Sequence, residues 1–334
     1  MANIKLLDCT LRDGGYLNSW RFGKENISFI IDSLIDANID IVECGFLTGE
    51  INDDNHSLYS SFDELNCIVN RNHKYALMLN FGVLDAHNIV PAPSNLDTEI
   101  RIAFKQHNLD EIVDFCKILE NKNIKYSLNP MHTSLYDNTE YSKLVNISND
   151  LNPTCITVVD TMGVMTPQDT SVLFSRLNSS IKHEIPLGFH SHNNMNNSYL
   201  NIKTLFDMNI QREIIIDTSL CGIGRGGGMP STEKVAHMLN SEYGAFYNID
   251  LLNSVSTKII SPIAVSQVVY KEMYYISAQN SCHPNYALYL IKNNITDKTV
   301  VNRVLSLIPD EHKTIYNPKI IESIVNNSLT NVTL

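Results

Sequence analysis

Short apolar runs alternate with longer amphipathic stretches over the first 245 residues, and this alternation is typical of a parallel α/β fold. Eight runs have the length and composition of strands: 4–8, 39–45, 74–80, 99–104, 124–129, 155–160, 187–190 and 213–218. Most of the segments between them predict helices, for example 27–37, 111–121 and 170–178, whereas 82–95 contains prolines and predicts only a short helix.

Polar residues stand repeatedly at or near the carboxyl ends of these predicted strands: Asp8, Glu43, Asn80, Asn129, Asp160, His190 and Asp217. In a closed barrel such ends meet at one mouth, whereas an open sheet binds its ligand at a single switch point. No Gly-x-Gly-x-x-Gly follows the first strand, which weighs against a dinucleotide-binding fold. The sequence therefore predicts a (β/α)8 TIM barrel over residues 1–245.

From residue 246 to 334 the pattern changes to longer helical segments without strand alternation. Helices are predicted at 256–279, as one or two helices, and at 285–293, 300–307 and 318–328. This part of the chain reads as a small helical extension packed on the barrel. Its apolar, tyrosine-rich helices suit self-association into a homo-oligomer.

Composition narrows the class of protein. The net charge is −11, from 36 acidic and 25 basic residues, and no basic cluster offers a nucleic-acid surface. The seven cysteines are dispersed without a Cys-x-x-Cys pair, which indicates reduced thiols. No apolar segment has the length of a membrane span, and no signal segment precedes the first strand. We expect a cytoplasmic protein.

Two motifs predict a metal centre. Arg12 and Asp13 follow the first strand, where the carboxylate can bind a hard divalent cation and the guanidinium can stabilise a neighbouring oxyanion. His190 and His192 end the seventh strand and point the same way, because extended residues two apart share a face. One carboxylate and two imidazoles leave coordination positions open for substrate. Asn194 is either a further ligand, a polar support for the ligands or a turn residue.

Two further motifs predict substrate contacts. After the eighth strand, a loop with five glycines contains Gly224, Arg225 and Gly226 and precedes a helix that begins near Pro230. Converging backbone N–H groups there suit a carboxylate or phosphate. A flexible loop is the alternative, but Arg225 and the adjacent helix start favour anion contact. After the sixth strand, Thr166 and Pro167 are typical of a helix start. Asp160, just before them, either faces the mouth or is structural.

Together these motifs resemble those of the DRE-TIM metallolyases. The resemblance rests on Thr-Leu-Arg-Asp-Gly at 10–14, Asp-Thr-Met-Gly at 160–163, His-Ser-His-Asn-Asn at 190–194 and Gly-Ile-Gly-Arg-Gly-Gly-Gly at 222–228. The superfamily includes 4-hydroxy-2-oxovalerate aldolases, HMG-CoA lyase, isopropylmalate and homocitrate synthases and biotin-dependent carboxyltransferases. The resemblance implies that Asp13, His190 and His192 bind Mn²⁺ or Mg²⁺, with Zn²⁺ or Co²⁺ as alternatives. It also implies that Arg12 stabilises an enolate oxygen while a C–C bond is made or broken.

Within that superfamily the layout is most similar to the 4-hydroxy-2-oxovalerate aldolases, which implies a class II type aldolase acting on a 2-oxo acid and an aldehyde through a metal-bound, pyruvate-type enolate. Those aldolases have a histidine base where this chain has Tyr16, and Tyr275 resembles a tyrosine of their extension. A tyrosine is a poorer base near neutral pH. Glu43, Asn80, Asn129 and Asp160 are expected to contact substrate.

Other members fit less well. Carboxyltransferases have a lysine where this chain has Val159, and the synthases have Glu-Gln where it has Gly15 and Tyr16. An acyl-CoA Claisen-type synthase or lyase remains an alternative. So does a non-catalytic subunit, or the aldolase half of a channelling complex whose extension docks a dehydrogenase partner.

Overall fold

Parallel strands close into a barrel in the computed structural model, which describes residues 3–50 and 53–330. The strands are β1 (Ile4–Asp8), β2 (Ile41–Leu47), β3 (Leu58–Tyr59), β4 (Lys74–Asn80), β5 (Thr98–Phe104), β6 (Tyr126–Pro130), β7 (Ile156–Asp160), β8 (Leu187–Ser191) and β9 (Ile214–Thr218). β1 pairs with both β2 and β9, which closes the barrel, and the two-residue β3 lies outside it against β2. The predicted eight-stranded TIM barrel is confirmed.

Helices surround the barrel and continue beyond it. The helices that lie between or directly after the barrel strands in the chain are α1 (Lys24–Asp36), α2 (Phe62–Asn66), α3 (Glu111–Asn121), α4 (Asn138–Asp150), α5 (Pro167–Ser180), α6 (Ser198–Asp207) and α7 (Thr232–Tyr243). The chain then forms α8 (Ile249–Val255), a π-helical turn (Ser256–Ile260), α9 (Ser261–Gln279), α10 (Pro284–Lys292), α11 (Lys298–Ser306), α12 (Asp310–Lys313) and α13 (Pro318–Thr330).

Local sequence signals account for many of these boundaries. Thr166 caps α5, since its side chain accepts from the backbone N–H of Asp169, and Pro167 is the first helical residue, as predicted. The barrel strands agree with the prediction to within two residues at each end. β3 and α2 were not predicted, because two and five residues are too few to show a period.

Apolar side chains form separate clusters in the two parts of the chain. The largest joins the barrel strands to their surrounding helices and includes Leu252, Val255 and Ile260 of α8 and the π-helical turn. A second cluster lies within the extension, between Met273 of α9 and Val325 of α13. The division at residues 245 and 246 stays a prediction, and the extension's own core begins later, in α9.

Candidate metal and active site

A pocket of about 490 Å³ lies at the carboxyl end of the barrel strands. Its polar lining comes from β4, β6 and β8, from the loops after β1, β7 and β8 and from the glycine loop, and its apolar lining comes from β2, β4, β5, β7 and the loop after β6. The lining residues are Arg12, Asp13, Tyr16, Phe46, Met78, Asn80, Ala103, Asn129, Met131, Val159, Thr161, His190, His192 and Arg225. This is the face of a TIM barrel that carries active sites.

Asp13, His190 and His192 come together in this pocket. One ligand atom from each lies within 4.8 Å of the other two, and all three residues are buried. His190 Nε2 stands 3.6 Å from Asp13 Oδ2. The Asp13 side chain comes from the loop after β1, while the histidines share one face of β8 and its continuation. A carboxylate with two imidazoles is a donor set that divalent transition metals accept.

His190 is held by a second carboxylate. Its Nδ1 lies 2.7 Å from Asp217 Oδ2, and Asp217 is fully buried at the end of β9. Because the carboxylate accepts this hydrogen bond, Nδ1 carries a proton, and Nε2 is the ring nitrogen that faces Asp13. This carboxylate–histidine arrangement orients ligands in metal sites.

His192 carries a polar atom without a partner. Its Nδ1 is buried, and no hydrogen bond reaches it from the described residues. Burial lowers the pKa of His192 to about 3, so the imidazole is neutral at neutral pH. Neutral imidazole is the form that coordinates a metal. The three residues therefore fit a divalent ion.

The glycine loop positions Asp13. The backbone N–H of Arg225 donates to Asp13 Oδ1 at 2.7 Å. A Cβ at Gly224 would come within 2.5 Å of the same oxygen, so only glycine allows this approach. Burial by itself would raise the pKa of Asp13, but Arg12 and the two histidines lower it below its ordinary value. Asp13 is thus ionised and ready to bind a cation.

Arg12 lies beside Asp13 with one hydrogen-bond donor unused. Its Nη1 donates to Asp13 Oδ2, and its Nε donates to Glu43 Oε2 at 2.7 Å. Its Nη2 is buried and makes no hydrogen bond to any described residue. A buried donor without an acceptor is unfavourable, and a ligand oxygen in the pocket would satisfy it.

Arg101 of β5 connects the buried polar groups of the barrel interior. It donates to Glu43 at 3.0 Å, to Asn129 at 3.0 Å and to Asp217 at 2.6 Å. The buried network thus sets two guanidinium groups against the carboxylates of Asp13, Glu43 and Asp217. Sequence reasoning missed Arg101, although an arginine within the apolar run of β5 was a usable signal.

The network predicts a large effect of Asp217→Asn on stability. The substitution leaves Arg101 with one fewer carboxylate and should lower the free energy of unfolding by about 3 kcal/mol, because a buried charge loses its partner. Urea denaturation measures this. Asp207→Asn, which breaks an exposed ion pair with Lys203, should cost less than about 1 kcal/mol. Equal stabilities of the two variants would contradict the assignment.

Six predicted site residues do not line the pocket: Glu43, Asp160, Asn194, Gly224, Gly226 and Tyr275. β2 runs two residues further than predicted, and Glu43 is fully buried there, where it accepts hydrogen bonds from Arg12 and Arg101. Asp160 accepts from the backbone N–H groups of Val164 and Met165 and is structural. Tyr275 is half-buried on α9 and is absent from the pocket lining, whereas its neighbour Tyr274 is buried near Arg225.

The glycine loop and Asn194 have structural partners. Asn194 Nδ2 donates to Met162 O at 2.8 Å, and its Oδ1 accepts from the N–H of Gly227 at 2.6 Å. Gln267 of α9, which sequence reasoning missed, donates to the carbonyls of Gly224 and Gly226. With the Arg225 and Gly227 N–H groups already used, the predicted anion contact has fewer backbone donors than expected. Asn80 and Asn129 do line the pocket.

Tyr16 stands at the rim, with 42% of its surface exposed. Desolvation raises the pKa of its phenol above 10, and the nearby Arg225, whose guanidinium carbon lies 5.8 Å from the ring centre, opposes this only in part. Tyr16 is therefore a neutral phenol at neutral pH. That makes it a hydrogen-bond donor and not a ready base.

A family model described as HMGL-like matches residues 3–260, which covers the barrel and its first following helix. The chain belongs to the HMGL-like family. The resemblance to the DRE-TIM superfamily is thereby confirmed.

Individual relatives of this HMGL-like protein agree with the family match. It is 24% identical over 273 residues to a 4-hydroxy-2-oxovalerate aldolase of Geobacillus genomosp. 3, covering 80% of this chain and 79% of the relative. It is 23% identical over 228 residues to an oxaloacetate decarboxylase of Mycobacterium tuberculosis, covering 67% and 66%. These relatives support a C–C lyase.

Among solved structures, the N-terminal domain of a candidate aldolase from Bacteroides vulgatus is similar, with a TM-score of 0.69 and 25% identity. The match covers 86% of this chain and 96% of that domain. Within the described residues, no helix combines the length and apolar character needed to cross a membrane.

Proposed function

We propose that this protein is a divalent-metal-dependent aldolase that cleaves or forms a 4-hydroxy-2-oxo acid through a pyruvate-type enolate. One observation carries the proposal. The unpartnered Nη2 of Arg12 lies in the same pocket as the convergent ligand atoms of Asp13, His190 and His192. A 2-oxo acid needs this combination, since one group must bind the oxo acid and another must neutralise the oxygen that becomes negative.

Asp13, His190 and His192 would hold the ion, with Mn²⁺ or Mg²⁺ as the first candidates and Zn²⁺ or Co²⁺ as alternatives. When bound, such an ion acts as a Lewis acid that polarises a carbonyl oxygen. Asp217 keeps His190 in the tautomer whose Nε2 lone pair faces the site. Glu43 fixes the Arg12 guanidinium from the opposite side.

In the cleavage direction the 4-hydroxyl group gives its proton to solvent, which later returns one to C3, and the bond between C3 and C4 breaks. The aldehyde leaves, and the electron pair moves to C3 and the oxygen on C2. Arg12 Nη2 donates a hydrogen bond to that oxygen as its charge develops. Protonation of C3 then gives pyruvate. The apolar side chains of Phe46, Met78 and Val159 border the space beside the reacting carbons.

Tyr16→Phe tests the part assigned to the phenol. As a neutral donor Tyr16 contributes one hydrogen bond, so its loss should lower kcat about tenfold. The basic limb of the pH profile should stay in place, because the phenol does not titrate below pH 10. Steady-state pyruvate release from pH 6 to 9.5 measures both. A shift of the basic limb in Tyr16→Phe would instead identify Tyr16 as the base.

The proposed reaction is tested by a metal-supplemented screen of 4-hydroxy-2-oxo acids of different chain length, with pyruvate release as the readout. Acyl-CoA substrates assayed for free CoA distinguish the Claisen-type alternative. A second candidate is decarboxylation of oxaloacetate, favoured by the decarboxylase among the relatives, since loss of CO2 gives the same enolate. Oxaloacetate therefore belongs in the screen.

The organisation around the site follows from the same proposal. We place the catalytic domain in residues 1–245 and the extension in 246–334, with self-association through the extension helices. A dehydrogenase that takes the aldehyde remains a predicted partner, and a cytoplasmic location is part of the proposal.

A further inference from the structure

A second cavity adjoins the metal pocket. It has a volume of about 1010 Å³ and lies between the loops after β5 and β6 and the extension. Met131, Thr161 and Arg225 line both spaces, so the cavity continues from the pocket at its side. The other lining residues are Lys105, Gln106, His107, His132, Leu135, His283, Asn285, Thr314, Ile315 and Tyr316.

The charge of this cavity is opposite to that of the protein. The chain has 36 acidic residues and a net charge of −11, yet no aspartate or glutamate is among the cavity residues. Lys105 and Arg225 both line it. Within residues 3–50 and 53–330, neither side chain forms a salt bridge with a carboxylate. Two unneutralised cations facing one cavity favour an anionic ligand there.

The extension holds Arg225 without neutralising it. Its guanidinium Nη2 donates to His283 Nε2. Burial lowers the pKa of His283 to about 2, so the ring is neutral and accepts this hydrogen bond without adding charge. His283 also stacks on Tyr316 at 6.3 Å. Arg225 is therefore positioned by uncharged groups and keeps its full positive charge.

His132 is held on the barrel side of the same cavity. Its backbone adopts a left-handed conformation, with φ of 57°, and its N–H donates to Thr161 Oγ1 at 2.9 Å. This conformation is unfavourable for a residue other than glycine, and such strain concentrates at ligand sites. Its ring lies 6.5 Å from that of His283. Neither imidazole adds a positive charge, so the positive charge of the cavity comes from Lys105 and Arg225.

We propose that this second cavity is the aldehyde subsite and that it selects aldehydes carrying a carboxylate or a phosphate, which Lys105 and Arg225 bind. The inference rests on the proposed aldolase function and adds the substrate class to it. Pyruvate occupies the metal pocket and loses a proton from C3, C3 then bonds to the aldehyde carbon, and the aldehyde oxygen gains a proton to become the 4-hydroxyl. The anionic group at the far end of the aldehyde then reaches the cations.

The test compares aldehydes as partners of pyruvate with the full chain and added Mg²⁺ or Mn²⁺. Glycolaldehyde phosphate is paired with propanal, and succinate semialdehyde with butanal, so that phosphate and carboxylate form separate arms. Lys105→Met removes the charge but keeps the chain length of an exposed residue. Lys117→Met, an exposed lysine of α3 outside the cavity lining, is the matched control.

We expect kcat/KM to be at least about tenfold higher for the anionic member of one pair, the gain typical of a charge-assisted hydrogen bond. Lys105→Met should lower that value about tenfold and leave the uncharged aldehydes unchanged, whereas Lys117→Met should change neither. Preference for uncharged aldehydes, or equal effects of the two variants, overturns the inference.

Two further measurements separate this inference from the proposed function. Deuterium uptake into the methyl group of pyruvate reports the enolate without any aldehyde, so its absence overturns the function alone. Calorimetric titration with glycolaldehyde phosphate and with succinate semialdehyde then reports the cavity directly. Binding to the wild type that is weakened about tenfold only in Lys105→Met supports the anion subsite, and no binding of either compound overturns it.

Discussion

Replacing Asp13 with asparagine or His190 with alanine is expected to remove the bound divalent ion and to lower lyase turnover at least about a thousandfold. Each residue supplies one of three convergent ligand atoms, and two ligands hold an ion poorly. Several kcal/mol of transition-state stabilisation is lost with the ion, and each 1.4 kcal/mol corresponds to a factor of ten. Elemental analysis of the purified variants and pyruvate release give the two readouts.

His183→Ala is the matched control for the histidine, because His183 is exposed before β8. It should keep the metal content and turnover of the wild type. Full metal content and full activity in both Asp13→Asn and His190→Ala would remove the ligand assignment.

Arg12→Lys is expected to separate metal binding from turnover. The variant should keep its ion, since the three ligand residues are intact, but lose turnover by about a hundredfold to a thousandfold. The three N–H groups of an ammonium share one nitrogen, so they cannot reach Asp13, Glu43 and the substrate together, as the separate nitrogens of the guanidinium can. Metal analysis together with kcat and KM for a 4-hydroxy-2-oxo acid measures this.

Arg303→Lys, at an exposed position of α11, makes the same chemical change away from the site and should be neutral. If Arg12→Lys turned over substrate at the wild-type rate, Arg12 would have no part in stabilising the oxygen. If it lost the ion as well, its first role would be to position Asp13.

The barrel could be predicted from sequence because its signals are local. Apolar runs of strand length and helix starts such as Thr166 and Pro167 depend on neighbours in the chain, and the structure has these elements close to the predicted positions. Strand ends depend on pairing with neighbouring strands. β2 therefore extends to Leu47, and Glu43 within it is fully buried.

The convergence of Asp13, His190 and His192 could also be predicted, since their motifs end strands whose carboxyl ends meet in a barrel. The residues that hold these side chains in place could not be predicted. Arg101 contacts Glu43 and Asp217, which lie 58 and 116 residues away, and only barrel closure brings them together. The contact between Arg225 and His283 depends likewise on how the extension packs on the mouth. Periodicity carries no information about such pairs.

Deuterium exchange into the methyl group of pyruvate, followed by mass spectrometry in D2O, tests the enolate chemistry most directly. The protein loaded with Mg²⁺ or Mn²⁺ should exchange these hydrogens, and removal of the ion with a chelator or the Arg12→Lys substitution should abolish most of the exchange. Exchange that persists undiminished in the metal-free protein, or that never exceeds the uncatalysed rate with any divalent ion, would contradict a metal-dependent pyruvate enolate at this site.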